Sequence, residues 1–582
     1  MRIHQWIVSA LLLIPSLSLA DVCSTLQSHG PNAELTESVR ARILCDLREV
    51  VGRKYASLEI KKTRLGVDLL AHLTSCVERE LKISDISQIT FQDRALECMA
   101  AFQDTHIITS SQTANPFVVS GVSLRKVGDQ IVIAGYDQKL IKITNEAERL
   151  SGGSGGLEGR LKPGTVVEKI DGQDPYQVVA QLAKYINGSS PAFVEAQAVK
   201  AITRREFAYP SQLFLQLKLA GQDQPIHLRW YVFPVALRQD LRDLLLTQLG
   251  MKILAPFGFS RTRDPDGFGD GYVGYDERQP LTDQITTEYA LASGKPAMRF
   301  GDLDSACYAQ ILDSDSDKVM QVPVSSHGEV KNHTVVLGQF LKQCQTEGKK
   351  LVLDLRYNGG GDFDIPIADF RLLIPDRSTI LGSAFTSGRY TRHLFQLFEI
   401  FNLGPQVPFK DWSRFSSDRF YRAVDEARVQ GLTHISAIPE PNVRIPITGV
   451  VFSGPVTVVT SEYCISGCEI MAGLLKNRPN TTIVGRPTNG TGGMVFKNKL
   501  YPLAAGFRDD LYSSIQVRLP NNLFGVLSAP VQDGSLIPFG QVENLIRENL
   551  PLPVTSGFEH DLTVEDIESQ NQALKTLIKK TL

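Results

Sequence analysis

The sequence predicts an α/β protein whose core is a mostly parallel β-sheet with covering helices. From residue 350 onward, the continuous apolar runs LVLDL, VTVVT and TTIVG alternate with segments of helical periodicity. Strands that are apolar throughout, and that are joined through helices, indicate a parallel sheet covered on both faces. A chain of 582 residues is also too long for one hydrophobic core, so we expect several domains.

Two regions of different texture precede this core. Residues 21–115 carry apolar residues at three- and four-residue intervals, which predicts a helical N-terminal region. Residues 116–190 are β-rich and end in the order Pro-Gly turn, strand, Asp-Gly turn and helix, which resembles half of a PDZ-type peptide-binding module. We therefore expect a PDZ-like module there and assign residues 191–582 to the core. Within the core, residues 255–300 lack apolar periodicity and are rich in Asp, Gly and Pro, which predicts a mobile insertion.

The amino terminus has the pattern of an export signal. Arg2 precedes the short apolar run IVSALLLIPSLSLA, and Ser18 and Ala20 stand at the small-residue positions of a cleavage site. The run is too short to cross a membrane, and no later segment has about 18 uninterrupted apolar residues. We therefore expect a signal peptide at residues 1–20, no membrane anchor, and a periplasmic or extracellular protein.

Charge and cysteine usage narrow the class of protein further. Lysine plus arginine (61) nearly equals aspartate plus glutamate (63), and we find no basic stripe, so no nucleic-acid partner is expected. Eight cysteines fit an oxidising compartment, although they allow 105 pairings. Their spacings suit neither a zinc ribbon nor a thioredoxin motif, so we expect no structural metal and no cofactor. At least one disulfide is expected among Cys23, Cys45, Cys76 and Cys98.

Ser466 is the first candidate for a chemical role, and two interpretations compete for it. It lies between an apolar strand and a helix, and Cys464 and Cys468 flank it. With Glu469 it forms the pattern of a capping box, which would need no further purpose. A serine at a helix start also suits a nucleophile, because neighbouring amides and the helix dipole favour developing negative charge. No histidine, lysine or aspartate is near enough in sequence to serve as its base.

Two motifs resemble the C-terminal processing (tail-specific) serine protease family. CISGCEIMAGLLKN, followed by TTIVGRPTNGTGG, resembles the family's nucleophile segment, and LDLRYNGGGD resembles its glycine turn. The resemblance implies the crotonase-like core of that family. It also implies Ser466 as nucleophile, with the backbone amides of Gly467 and Gly360 forming the oxyanion hole.

The lysine that usually serves as the base in this family is absent. The position 25 residues after Ser466 is Thr491, and the aspartate expected 11 residues after it is Asn477. The turn Thr488–Gly493 instead resembles the Ser-His-Glu branch of the family, which includes tricorn-type proteases and the chlamydial protease-like activity factor. That branch requires a histidine early in the chain and a carboxylate near its end.

Two further segments resemble the triad segments of this branch. FQDTHIIT offers His106 as the base, and GSLIPFGQVENLIRENLPLPVT offers Glu543 as the carboxylate, with Glu548 as the alternative. The resemblance implies an exported serine endopeptidase that cleaves polypeptides through an acyl-enzyme. The missing lysine also suits a non-catalytic ligand- or peptide-binding scaffold of the same fold. A hydrolase of non-peptide esters is a third reading, against which the PDZ-like module argues. Whether the chain forms a homodimer is left open.

Overall fold

The structure is a computed structural model. The amino-terminal segment with the predicted signal peptide, residues 1–21, lies outside the described residues. The described residues are 22–26, 36–84, 88–107, 109–110, 117–150, 156–233, 272–291, 296–314, 318–322, 330–361, 364–374, 381–385, 424–426, 429, 438–439, 451–491, 495–499, 516–520, 522–526 and 551–582.

An eight-stranded sheet, here called the central sheet, forms the core of the protein. Its strands are short and mostly buried, and the last three carry the apolar runs that the sequence analysis identified. In spatial order the strands are Val330–Asn332, Lys318–Val322, Ile285–Ala290, Pro296–Leu303, Ala306–Ile311, Leu351–Asp354, Val456–Thr460 and Thr481–Gly485.

The α/β class is confirmed, but the central sheet is mixed rather than mostly parallel. Ala306–Ile311, Leu351–Asp354, Val456–Thr460 and Thr481–Gly485 pair in parallel, whereas the other pairings are antiparallel. The physical reason lies in the connections, because parallel neighbours need a long crossover and antiparallel neighbours can be joined by a tight turn. Only two residues separate the strands that end at Leu303 and begin at Ala306.

Residues 255–300 were predicted to form a mobile insertion, but the described part of this range contains paired β-strands. Ile285–Ala290 and Pro296–Leu303 are strands of the central sheet, and Tyr272–Gly274 pairs with an earlier strand. Register shifts interrupt the pairing of the two central-sheet strands, which explains why their residues show no regular alternation. Residues 255–271 lie outside the described part of the chain.

Helices cover both faces of the central sheet. One face carries His333–Thr346, Asp364–Arg371 and Gly467–Lys476, whose apolar side chains join the largest buried cluster. Leu574 and Ile578 of the C-terminal helix Gln572–Lys579 pack on the opposite face. The short helix Val564–Glu568 precedes this helix in the chain. None of the helices in the described ranges combines the length and the apolar character that a membrane crossing requires.

The parallel part of the central sheet gathers three predicted motifs at one edge. The glycine turn follows Leu351–Asp354, the nucleophile segment follows Val456–Thr460, and the Thr488 turn follows Thr481–Gly485. Because parallel strands end at the same edge, segments that are distant in sequence meet there, as in many α/β proteins that bind ligands at this edge.

The N-terminal region is helical, and two disulfides join its helices. A buried apolar cluster holds the helices together. Cys23 is bonded to Cys45 and Cys76 to Cys98, so the predicted disulfide in this region is confirmed. Cys307–Cys344 and Cys464–Cys468 complete the set. The helices are Val22–Thr25, Glu37–Lys54, Leu58–Leu65, Leu69–Glu80 and Gln88–Ala100.

A β-rich unit with its own buried cluster follows, and its cluster extends past residue 190 to Trp230. Its identity as a PDZ-like module stays a prediction. Its helices are Gln138–Leu150, Leu157–Arg160, Pro175–Ala183 and Pro191–Ala201. Its strands are Phe117–Val119, Val122–Val127, Gln130–Asp137, Val167–Ile170, Arg204–Arg205, Phe214–Leu219, Ile226–Arg229 and Tyr231–Phe233.

Two further antiparallel sheets, each of three strands, contain segments from distant parts of the chain. One contains Thr109–Ser110, which begins three residues after His106, and the other contains Leu381–Phe385. Their remaining strands are Val495–Lys499, Gln516–Pro520, Ile438–Pro439 and Asn522–Val526.

The disulfides of the N-terminal region should contribute measurably to stability. Cys76 and Cys98 are separated by 22 residues. Closing a loop of this length in the unfolded chain corresponds to about 3 kcal/mol. We expect the Cys76→Ser/Cys98→Ser variant to lose stability of that order in chemical denaturation, with a lower melting temperature. The Cys464→Ser/Cys468→Ser variant removes a bond that closes a far shorter loop, so it should lose less stability. An unchanged denaturation midpoint in the first variant would contradict this prediction.

Candidate active site

Ser466 lies in a strained turn between a strand and a helix. Its backbone has φ 58° and ψ −117°, although serine has a Cβ that disfavours positive φ, and Gly467 is the first residue of the helix. The Ser466 side chain makes no capping hydrogen bond to this helix. The capping-box interpretation is therefore wrong for the serine hydroxyl. A strained strand-to-helix turn with a partly exposed serine is the geometry of a nucleophile elbow.

A disulfide brackets this turn. Cys464 and Cys468 are bonded to each other, and both are buried. Their bond closes a ring that contains Ser466 and the Gly467 amide. The Cys464 carbonyl also accepts a hydrogen bond from the Asn489 amide at 3.1 Å. Covalent and hydrogen-bonded contacts thus hold the strained turn from both ends.

The glycine turn packs directly against the serine. Gly360 has φ 89°, and a Cβ at this position would lie 2.7 Å from the Ser466 Cβ and 2.9 Å from the Gly467 nitrogen. Only glycine therefore fits. The Gly360 amide donates to Asn358 Oδ1 at 2.8 Å, and the Ile465 amide donates to the Asn358 carbonyl at 3.1 Å. The structure thus brings both predicted oxyanion-hole residues to Ser466, with Asn358 joining the two segments.

Buried charged groups fix the start of the glycine turn, and the neighbouring Ser461 hydroxyl is hydrogen-bonded to its backbone. The Arg356 guanidinium donates to both oxygens of Asp354 at 2.9 Å, and Tyr308 donates to the same carboxylate at 2.6 Å. The Ser461 hydroxyl donates to the Arg356 carbonyl. Ser461 is buried and engaged in this contact, so its role in the structure is to join strand ends.

Glu469 joins the nucleophile helix to the turn at residues 488–491. Its carboxyl accepts hydrogen bonds from the backbone amides of Gly490 and Thr491. Desolvation by burial raises the pKa of Glu469 to about 8, although these amides, the Thr488 side chain and the Ser466 amide lower it. The side chain that the sequence suggested as part of a capping box therefore holds two loops of the site together.

The same turn contacts both Ser466 and the segment of His106. The Ser466 amide donates to the Thr491 carbonyl at 2.9 Å. Thr105, the residue before His106, donates its hydroxyl to Asn489 Oδ1 at 2.6 Å. The structure therefore brings the His106 segment and the nucleophile segment to one turn, although they are far apart in sequence.

The backbone around His106 is fixed by polar contacts. His106 is buried, with 7% of its surface exposed. Its amide donates to Asp104 Oδ1 at 3.0 Å, and Tyr55 donates to the same carboxylate at 2.7 Å. The Asn187 side chain accepts from the Asp104 amide at 2.8 Å and donates to the Ile107 carbonyl at 3.1 Å. One side chain therefore spans the whole turn that carries His106.

The predicted carboxylates, Glu543 and Glu548, lie outside the described residues. Within the described residues, two other histidines form carboxylate pairs. His333 lies 3.2 Å from Asp369 between covering helices, and its side chain is fully buried, so it belongs to the core. His560 lies 2.8 Å from Asp566, which also closes the capping box of the helix Val564–Glu568.

Sequence reasoning missed the residues that connect the two halves of the site. These are polar side chains whose tertiary contacts carry no local signal in the sequence. Thr105 and Asn489 lie in segments that the sequence analysis recognised, FQDTHIIT and Thr488–Gly493, but the contact between them was not expected. The missed residues are Thr105, Asn187, Ser189 and Asn489.

Comparison with known proteins gives a family match for the middle part of the chain. A model of peptidase family S41 matches residues 319–513, which include the glycine turn, Ser466 and the Thr488 turn. This match over part of the chain supports a serine-type peptidase. The match ends before Glu543 and begins after His106, so it covers only the nucleophile side of the predicted triad.

Solved structures show the fold over nearly the whole chain. Mature CPAF complexed with lactacystin has a TM-score of 0.61 and 16% identity, with 93% of this chain and 97% of that chain covered. Mature CPAF has a TM-score of 0.62 and 16% identity, with coverages of 93% and 96%. No curated protein gives a significant sequence match. The chain therefore shares its fold with CPAF over most of its length.

The raised pKa of Glu469 predicts a pH-dependent stability. A carboxyl whose pKa is higher in the folded protein than its usual value near 4.5 binds a proton preferentially on folding. Its contribution is therefore greatest below about pH 4.5 and is lost as the pH rises to about 8. We expect the wild-type melting temperature to fall more between pH 5 and pH 8 than that of Glu469→Gln. The exposed Glu168→Gln variant controls for the change in charge, and parallel curves for all three proteins would refute this prediction.

Proposed function

We propose that this protein is an endopeptidase of family S41 in which Ser466 attacks the substrate carbonyl and His106 removes its proton. The observation that carries this proposal is the turn at residues 489–491, whose hydrogen bonds hold the backbone of Ser466 and the segment of His106 together. The strained turn at Ser466, which leaves the hydroxyl out of helix capping, is consistent with the role of nucleophile.

The proposed reaction proceeds through an acyl-enzyme. Serine is a weak nucleophile at its free pKa, so it needs an adjacent base. Neutral imidazole of His106 accepts the hydroxyl proton as Ser466 bonds to the carbonyl carbon, and it then donates this proton to the leaving amine. Water hydrolyses the ester by the same route and releases the second product.

The oxyanion would be stabilised by the amides of Gly467 and Gly360. Gly467 begins a helix, where amides have no intrahelical acceptor and the dipole favours negative charge. The Gly360 amide already donates to Asn358 Oδ1, so it must share this donor or exchange it when the oxyanion forms. Each such donor typically lowers the barrier by about 3 kcal/mol.

A carboxylate on the second ring nitrogen of His106 would fix its tautomer and stabilise the imidazolium. Glu543 is proposed for this role from its segment resemblance, with Glu548 as the alternative. Four disulfides and the apolar run before Ala20 support export to an oxidising compartment as part of the same proposal. The PDZ-like module would then take part in binding polypeptide substrates.

Removing either member of the proposed pair should abolish turnover. We expect Ser466→Ala and His106→Ala each to reduce cleavage of a reduced, alkylated protein substrate by at least about 10³-fold, because residues that act as a unit are not additive. Cleavage is measured by mass spectrometry of the products. Wild-type turnover should fall on the acid side, where imidazole, with a reference pKa of about 6.5, becomes protonated and cannot accept the serine proton.

Matched variants separate chemistry from folding. Ser461→Ala removes the neighbouring buried serine and should keep labelling of the protein by a fluorophosphonate probe, whereas Ser466→Ala should lose it. His227→Ala changes an exposed histidine of the β-rich unit and should leave turnover unchanged. A folded His106→Ala variant with most of its activity would disprove the assignment of the base. A wild-type protein that neither cleaves nor reacts with the probe would favour a non-catalytic scaffold of the same fold.

A further inference from the structure

Three side-chain hydroxyls and one side-chain amide form a hydrogen-bonded cluster next to His106 in the chain, here called the hydroxyl cluster. It consists of Thr105, Ser189, Asn489 and Thr491. Thr105 Oγ1 and Thr491 Oγ1 both lie 2.6 Å from Asn489 Oδ1, and the hydroxyls of Ser189 and Thr491 are hydrogen-bonded to each other. Asn489 and Thr491 are fully buried, so these polar groups depend on one another for hydrogen bonds.

The direction of every hydroxyl in this cluster follows from proton counting. A threonine hydroxyl has one proton, and those of Thr105 and Thr491 go to Asn489 Oδ1. Ser189 must therefore donate to Thr491, and it accepts from the Thr105 amide at 3.3 Å. The Ser189 amide in turn donates to Thr105 Oγ1 at 3.4 Å. Each hydroxyl donates once, which leaves a single consistent arrangement.

The hydroxyl cluster connects three segments that are distant from one another in sequence. Thr105 precedes His106. Ser189 lies two residues after Asn187, whose side chain is hydrogen-bonded to the backbone on both sides of His106. The backbone carbonyl of Thr491 accepts a hydrogen bond from the Ser466 amide. The Asn489 side chain is itself fixed, because its Nδ2 donates to the Glu462 carbonyl at 3.3 Å. A change in the length of any of these bonds would displace the His106 segment relative to the nucleophile turn.

We infer that Thr491 and Thr105 are positioning residues for the reaction, which set the distance between His106 and Ser466 through the shared acceptor Asn489 Oδ1. This inference rests on the proposed function of Ser466 and His106. Neither threonine transfers a proton to substrate in this account, since both hydroxyl protons are held by Asn489. Their effect is on geometry, to which proton transfer between fixed groups is sensitive, because a misplacement of about 1 Å can cost about 10²-fold in rate.

The test compares variants that remove or keep a hydroxyl at almost constant volume. Thr491→Val should reduce kcat at least about tenfold with little change in KM, whereas Thr491→Ser should retain most of wild-type turnover. Thr105→Val should behave like Thr491→Val. The double variant should lose less than the product of the two single losses, because both hydroxyls share one acceptor.

Thr457→Val is the matched control for the loss of a buried threonine hydroxyl. Thr457 is buried in the central sheet and is hydrogen-bonded to the Thr581 hydroxyl at 2.7 Å, without contact to the hydroxyl cluster. It should lower the melting temperature without lowering kcat. If Thr491→Val is unstable, the half-buried Thr105→Val and Thr105→Ser pair carries the same comparison.

The outcomes separate this inference from the proposed function. If Ser466→Ala and His106→Ala are inactive but Thr491→Val and Thr105→Val resemble Thr457→Val, the positioning role is wrong and the triad assignment stands. The positioning role is also wrong if Thr491→Ser or Thr105→Ser fails to restore the turnover that its valine counterpart loses. If a folded His106→Ala variant remains active, the proposed function itself fails.

Discussion

The site depends on the backbone strain at Ser466. A serine at φ 58° costs free energy, and such strain persists only where the surroundings determine it from several directions. Here a disulfide closes the turn, the Thr491 carbonyl accepts the serine amide, and Gly360 lies too close to admit a side chain. In this strained conformation the serine hydroxyl lies at the start of a helix without making a capping hydrogen bond to it. These three contacts therefore stabilise the unfavourable backbone conformation of Ser466.

The proposed reaction also requires a histidine from a separate region of the chain to lie beside the serine. His106 belongs to the end of the helical N-terminal region, and the serine belongs to the central sheet. Loops that only touched through apolar contacts could slide, whereas hydrogen bonds of fixed length between buried groups resist this motion. Asn187 and Asn489 provide these bonds to the His106 segment. The β-rich unit, which carries Asn187, thus contributes to the alignment of the site as well as separating its two halves in sequence.

Local motifs made the nucleophile side of the site predictable, and tertiary contacts made the rest unpredictable. Ser466, Gly467 and Gly360 stand in short segments whose strand, turn and helix are encoded within a few residues. The parallel strands were found because they are apolar throughout. The antiparallel strands Ile285–Ala290 and Pro296–Leu303 were missed because bulges break their alternation. Contacts such as Thr105 with Asn489 arise only after the sheet has brought distant loops together, so no pattern in either segment records them. Glu543 remains a prediction from its segment alone.

The electrostatics of the Thr488 turn are consistent with the proposed base on a separate segment. In the lysine-dyad relatives that the sequence resembles, the position of Thr491 carries the base. A buried ammonium needs a nearby negative charge, and Glu469 is the carboxyl that contacts this turn. Because burial raises the pKa of Glu469 to about 8, an ammonium at this turn would have to lower that pKa and ionise the carboxyl before the two could form a buried ion pair. A threonine hydroxyl fits this environment, since it only exchanges hydrogen bonds with Asn489 and Ser189. The proposed imidazole base then carries a positive charge only transiently, during the reaction, on a separate segment of the chain.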